Sequence, residues 1–175
     1  MGADLYIPSI HDKLRNQYED IFYSLCNYRD ILSDLSDDKE KKIVQKEVNK
    51  VWDLMYSEGY FRDSYNPSNL LWHLSHPDFP EGISWWGTIG HIIDEKSEKD
   101  KTQDEDGVSL IKVKEILHII KESKINTRQI EIDIEKGELR GTYEEWLKYF
   151  KEKKEDLENF LQTCIKLKEK PRFSI

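Results

Sequence analysis

The stretch TYEEWLKYFKEKKEDLENFLQTC (142–164) decides the fold class. Thr142 followed three residues later by Glu145 is a capping box, in which hydroxyl and carboxylate each satisfy a backbone N–H of the first turn. Behind it Trp146, Tyr149, Phe150, Leu157, Phe160, Leu161 and Cys164 recur mostly at three and four, interrupted by Lys153. That spacing marks one buried helical face. Pro171 is read as the stop of this helix.

The same pattern extends outward. Ser109 caps a helix carrying Leu110, Val113, Leu117 and Ile120. At the other end, Ser9 is read as the cap of a first helix with Leu14, Tyr18, Ile21, Phe22, Leu25, Ile31 and Leu32 on one stripe. A polar turn at 33–38 leads to a second helix, running to about Ser57, with Val44, Val48, Val51, Trp52 and Met55 inward. Gly59 then stands where positive φ is cheap. Two long helices with a short link form an antiparallel hairpin.

One stretch admits two readings. Ile130-Glu131-Ile132-Asp133-Ile134-Glu135 alternates strictly, as a half-buried strand does, and Leu5 and Ile7 would supply its partner. Read instead as a helix, it puts Ile130 and Ile134 one turn apart. The expected architecture is mainly α: a single-domain helical bundle over 1–175, with four principal helices, short central helices and a small two-stranded β element.

Composition narrows the class further. Charged residues are 35% of the chain, above the roughly 25% usual in soluble domains, yet five Trp, nine Tyr and six Phe are present. A disordered chain lacks such ring content. No run approaches the roughly 20 apolar residues that span a membrane. A net charge of −8 argues against a nucleic-acid partner. Cys26 and Cys164 are far apart and are read as reduced thiols of a cytoplasmic protein. Residues 94–107 are read as a mobile acidic surface loop.

The middle of the chain is where a site is expected. Between Tyr60 and Trp86 lie Tyr60, Phe61, Tyr65, Trp72, Phe79, Trp85 and Trp86, together with Arg62, Asp63 and Asn66. The stretch 59–67 reads as a loop ending in an Asn66 cap with Pro67 first in a short helix, 68–74. Ser84 opens another short helix, through Ile93. Rings and polar groups in one segment serve a packed core, a protein interface or a small-molecule pocket. The candidate ligand- or partner-binding residues are Asp4, Tyr60, Arg62, Asp63, Tyr65, Asn66, Trp72, Trp85 and Trp86.

Other chemistry is harder to find. His73 and His76, with Asp78 or His91, are spaced for three zinc ligands, but the H-E-x-x-H pattern is missing, so they read as surface histidines in a polar turn. Aligning Gly107 with the glycine of a calcium loop puts Thr102 and Val113 where acids are required, which removes that reading. No nucleophile motif, phosphate loop or catalytic carboxylate pair is present, so neither a cofactor nor a metal is expected.

Several motifs carry a resemblance. The opening Met1-Gly2-Ala3-Asp4-Leu5-Tyr6-Ile7, the central 55–66 ending Gly59-Tyr60-Phe61-Arg62-Asp63-Ser64-Tyr65-Asn66, then Leu71-Trp72 and Ser84-Trp85-Trp86, resemble a family of small bacterial proteins without an assigned activity. The tail Asn159-Phe160-Leu161, Ile165 and Ser174-Ile175 is similar to it too. The stretch from His73 to Gly82 departs from the family's shorter, Gly-containing link, so both histidines fall outside the shared pattern. The resemblance implies a bacterial, helical protein and no reaction.

The residues name no activity. They favour a non-enzymatic binding module acting on a protein partner, in the manner of an immunity, antitoxin or phage-defence accessory protein. The alternative is a sensor or enzyme with a small-molecule pocket in the aromatic segment 60–86. Asp4, Arg62 and Asp63 are expected to meet in one polar cluster near Trp85 and Trp86.

Overall fold

A computed structural model describes residues 2–34, 38–64, 66–79, 82–85, 103–104 and 107–174. The chain divides into two compact units, one of Ile7–Tyr60 and one of Met1–Tyr6 with Phe61–Ile175. Among the described residues there are five α-helices, with small antiparallel β elements.

The unit 7–60 is the helical hairpin. Helix α1 spans Pro8–Asp34 and α2 spans Asp38–Met55. Helix α1 begins at Pro8 rather than beyond Ser9, because proline's fixed φ suits the first helical position and its missing N–H costs nothing there. The seam is thin: Leu32, Val44 and Val48 are buried, with Phe22, Leu25 and Cys26 packed against them. A ladder of rings continues it, Phe22 to Trp52 at 5.5 Å, Trp52 to Tyr56 at 4.4 Å and Tyr56 to Tyr60 at 4.5 Å. Helix α2 stops at Met55, two residues before the expected end. Gly59 follows with φ of +63°, and a Cβ there would come within 2.8 Å of Ile10. Its carbonyl accepts the Ile7 N–H at 2.7 Å, which ties the two ends of the hairpin together.

The unit 1–6 plus 61–175 is built on a three-stranded sheet. Strand β1 (Gly2–Tyr6) is central, between β2 (Tyr60–Ser64) and β7 (Arg172–Ser174). Its pairing with β7 is antiparallel, Asp4 opposite Ser174 and Tyr6 opposite Arg172. The expected loop at 59–67 is therefore largely a strand. Its alternation is real but disguised, because Phe61 and Asp63 are the buried pair and Arg62 the exposed one.

The expected short helix at 68–74 shrinks to a single 3-10 turn, Leu71–His73. The Asn69 side chain accepts the Trp72 N–H at 3.0 Å, and the chain then leaves as strand β3 (Leu74–Ser75). That strand pairs with β6 (Lys124–Ile125). Gln103–Asp104 (β4) and Gly107–Val108 (β5) pair in a third ladder, so the described end of the acidic segment is ordered by backbone bonds.

Helix α3 (Leu110–Glu122) starts at the expected Ser109 cap and buries Val113, Ile116, Leu117 and Ile120. The alternating stretch 130–135 lies inside helix α4 (Thr127–Glu135), which overturns the strand reading. Asn126 decides it locally, its side chain accepting the Gln129 N–H, while Ile130 and Asp133 share the buried face one turn apart. The strand partner assigned to Leu5 is likewise replaced, by β2 and the C-terminal tail. Helix α5 (Tyr143–Leu167) has both bonds of the capping box. It ends before Pro171, at Lys168, whose φ of +56° is a left-handed cap. The expected helix from Ser84 through Ile93, and most of segment 94–107, lie outside the described residues.

Candidate binding cleft

Asp63 and the His73–Asp133 pair, all buried polar residues of the larger unit, centre two constellations around a cleft. The first is centred on Asp63, on the inward face of β2 and almost fully buried. Leu70 N–H donates to both of its oxygens, at 3.0 and 3.1 Å, and Ser64 N–H donates at 2.9 Å. The indole Nε1–H of Trp85 donates at 2.8 Å. Burial pushes the Asp63 carboxyl above its ordinary range, and these bonds, with the Lys153 ammonium nearby, partly offset that. Lys153 lies 5.1 Å from the Phe61 ring centroid, a cation–π contact. Tyr149 is raised too, by its own burial and then by the Asp63 charge.

The second constellation joins the 3-10 turn to α4. His73 is 0% and Asp133 2% exposed, and His73 Nε2 stands 3.1 Å from Asp133 Oδ2. The other ring nitrogen, Nδ1, is 2.8 Å from the carbonyl of Asn69. Both neighbours offer acceptor oxygens, so the imidazole is held at each ring nitrogen, by the Asn69 carbonyl and by the Asp133 carboxyl. Gln129 Nε2–H donates to the remaining Asp133 oxygen at 2.8 Å, and Phe150 stacks on the imidazole at 4.1 Å.

Between these constellations lies a cleft of about 450 Å³. Trp72 and Trp85 give it aromatic wall, with Pro67. Its polar lining comes from Asn66, Asn69, Ser84, Gln129, Asp133, Lys136 and Glu138. Trp85 is fully buried behind it, whereas Trp72 is 48% exposed. Asn69 is held in place by its own bonds, donating to the Ser64 carbonyl and accepting from Trp72 N–H.

The residues singled out in the sequence scatter over this geometry. Asn66, Trp72 and Trp85 line the cleft, and Asp63 braces it from behind. Asp4 and Arg62 do meet, Nε to Oδ1 at 3.5 Å, but Arg62 points away from the buried face that Asp63 occupies. The three therefore form two groups rather than one cluster. Strand alternation separates Arg62 from Asp63. Tyr60 belongs to the ring ladder of the hairpin. Tyr65 and Trp86 lie outside the described residues, as does His91.

His73 and His76 are not the surface histidines expected, since both are buried. His73 is taken by Asp133, and His76 accepts the Asp78 N–H at 3.2 Å with Glu122 3.5 Å from its Nε2. Among the described residues no three His, Cys, Asp or Glu side chains are gathered to hold a metal ion.

Gln129, Asp133, Lys136 and Glu138 were not singled out as site residues. The signal for Asp133 was present in the helical alternative, which places an acid one turn from Ile130 on the buried face. Comparison with known protein families, with curated proteins and with solved structures found no match.

Proposed function

We propose that this chain is a binding module whose cleft, between Trp72, Trp85 and helix α4, takes a small polar molecule. The observation that carries this reading is the cleft itself: about 450 Å³, with indole wall and polar groups around it, Lys136 and Glu138 among them. Small-molecule sites have this make-up, apolar walls with a few polar groups that fix orientation. The protein-partner reading rests on a different region. Ile21, Tyr28, Ile43 and Leu54 of the hairpin are large apolar side chains left exposed.

In either role we read the protein as a bacterial, cytoplasmic one. The motif resemblance and the two free thiols, Cys26 and Cys164, support that reading. No helix among the described residues is long and apolar enough to cross a membrane.

A thermal-shift screen of the chain against a metabolite library, beside its Trp72→Ala variant, tests the cleft. A compound that raises Tm of the parent and not of the variant supports it. Equal shifts in both, or none, overturn it. A stoichiometric complex recovered from bacterial lysate, lost on Ile43→Lys, would carry the protein-partner reading instead.

A further inference from the structure

Resting on the cleft reading, we infer that the ligand is a nucleoside: a neutral, flat nitrogen heterocycle carrying a hydroxylated sugar. The argument begins with what the cleft leaves unpaired. Among the described residues, the Asn66 side-chain nitrogen, Gln129 Oε1, the Lys136 ammonium, the Glu138 carboxylate and the Trp72 indole have no hydrogen-bond or ion-pair partner. Asn66 Oδ1, by contrast, is spent on Ser68 N–H and on two hydroxyls, and Asp133 is spent on His73 and Gln129.

Charge then excludes classes. Asp133 is engaged by His73 and Gln129, and the rim offers one cation, Lys136, against one carboxylate, Glu138. With one rim charge of each sign, the cleft suits neither a polyanion such as a nucleoside triphosphate nor an organic cation. The sequence has no Gly-rich phosphate cradle to change that balance.

Shape and hydrogen bonding select within what remains. A half-exposed indole offers a flat face on which a base stacks, a contact that tolerates every base because each has a π face. Side-chain amides are groups that read base edges. Here each amide keeps one half, Asn66 its N–H donor and Gln129 its carbonyl acceptor, so two residues divide the reading between them. Glu138 is the type of group that accepts ribose hydroxyls, as an acid does in dinucleotide sites. Lys136 would tolerate a single 5′ phosphate.

Trp85 is the rigid partner to Trp72. Its indole N–H is pinned by Asp63 at 2.8 Å, so this wall is fixed before any ligand arrives. Asp63 is a positioning residue: it acts on the cleft through Trp85 and is not itself part of the lining.

The test is titration calorimetry of the chain with adenosine, guanosine, cytidine and uridine, with ribose and ATP beside them, plus tryptophan fluorescence. At least one nucleoside binds and quenches the indole emission. Ribose alone gives no heat, and ATP binds that nucleoside's site at least about tenfold more weakly. Trp72→Ala loses about tenfold or more in affinity, the loss of one stacked base. Glu138→Gln, on the exposed rim, keeps the fold and weakens the nucleoside more than the free base.

Two outcomes separate this inference from the reading beneath it. If no nucleoside binds while a non-aromatic library compound does so and is lost on Trp72→Ala, the nucleoside assignment falls and the cleft stands. If no compound of either kind binds, both fall.

Discussion

The two units of this chain solve the same problem, too much charge and too few aliphatic side chains, in opposite ways. The hairpin 7–60 keeps its charges outside and closes over a narrow seam. Its longest helix, the 27-residue α1, buries only His11 and Leu32. The larger unit takes charge inside and satisfies it, with Asp63, Asp133 and His73 all under cover. Helix α3, at 13 residues, buries five side chains. Stability in the larger unit therefore depends on polar satisfaction as well as on burial, whereas the hairpin depends on a small apolar contact and local helix pairs such as Arg15–Glu19. A buried polar network is costly when only partly satisfied.

The contrast puts the costliest single change in the His73–Asp133 unit. His73→Leu strands a buried carboxylate and should lower stability by about 3–5 kcal/mol in urea unfolding. Asp63→Ala follows at about 3 kcal/mol, because Leu70, Ser64 and Trp85 N–H groups all lose their acceptor. In the hairpin, Val48→Ala should cost only about 1–2 kcal/mol, the low end for a core truncation, since so little surrounds it. A larger loss there than at Asp63 would break the comparison.

The pH dependence sharpens it. Burial raises the Asp63 carboxyl, so the folded chain keeps that proton to higher pH than the unfolded chain does. Stability from this group is therefore full below the ordinary carboxylate range and falls as pH rises through the raised native value. Comparing urea midpoints of the parent and Asp63→Asn across that range should show the parent's extra decline. Equal slopes would mean that Asp63 titrates as it would in water. The smallest effect is expected at Ile43, exposed on α2, where Ile43→Gln should change stability by no more than about 0.5 kcal/mol.

The same contrast governs what was legible in the sequence. Helices α1, α2, α3 and α5 were readable because apolar periodicity and caps such as Ser109 and Thr142 are local signals. A small β element and the strand around Leu5 were readable, but its partners were not, since β1 finds them at residues 60–64 and 172–174, beyond the reach of any short window. Strand β2 was further hidden because one of its inward residues is an aspartate, and burial of charge cannot be inferred without its partners. For the cleft, Asn66, Trp72 and Trp85 came from local crowding of rings and polar groups. Gln129, Asp133, Lys136 and Glu138 join them only through a contact spanning about sixty residues, as His73 to Asp133 shows.

The central position of β1 also sets an order of events. The strand precedes both of its neighbours in the chain, and the second of them lies far along it, at residues 172–174. A vectorial synthesis leaves β1 unpaired while the hairpin, rich in near-neighbour contacts, closes behind it. Non-local pairing of this kind is slow because the loop must close before the contact is gained. The sheet is thus the last part to be secured, and a folding experiment should see helix signal well before the Leu5–Phe173 register is fixed.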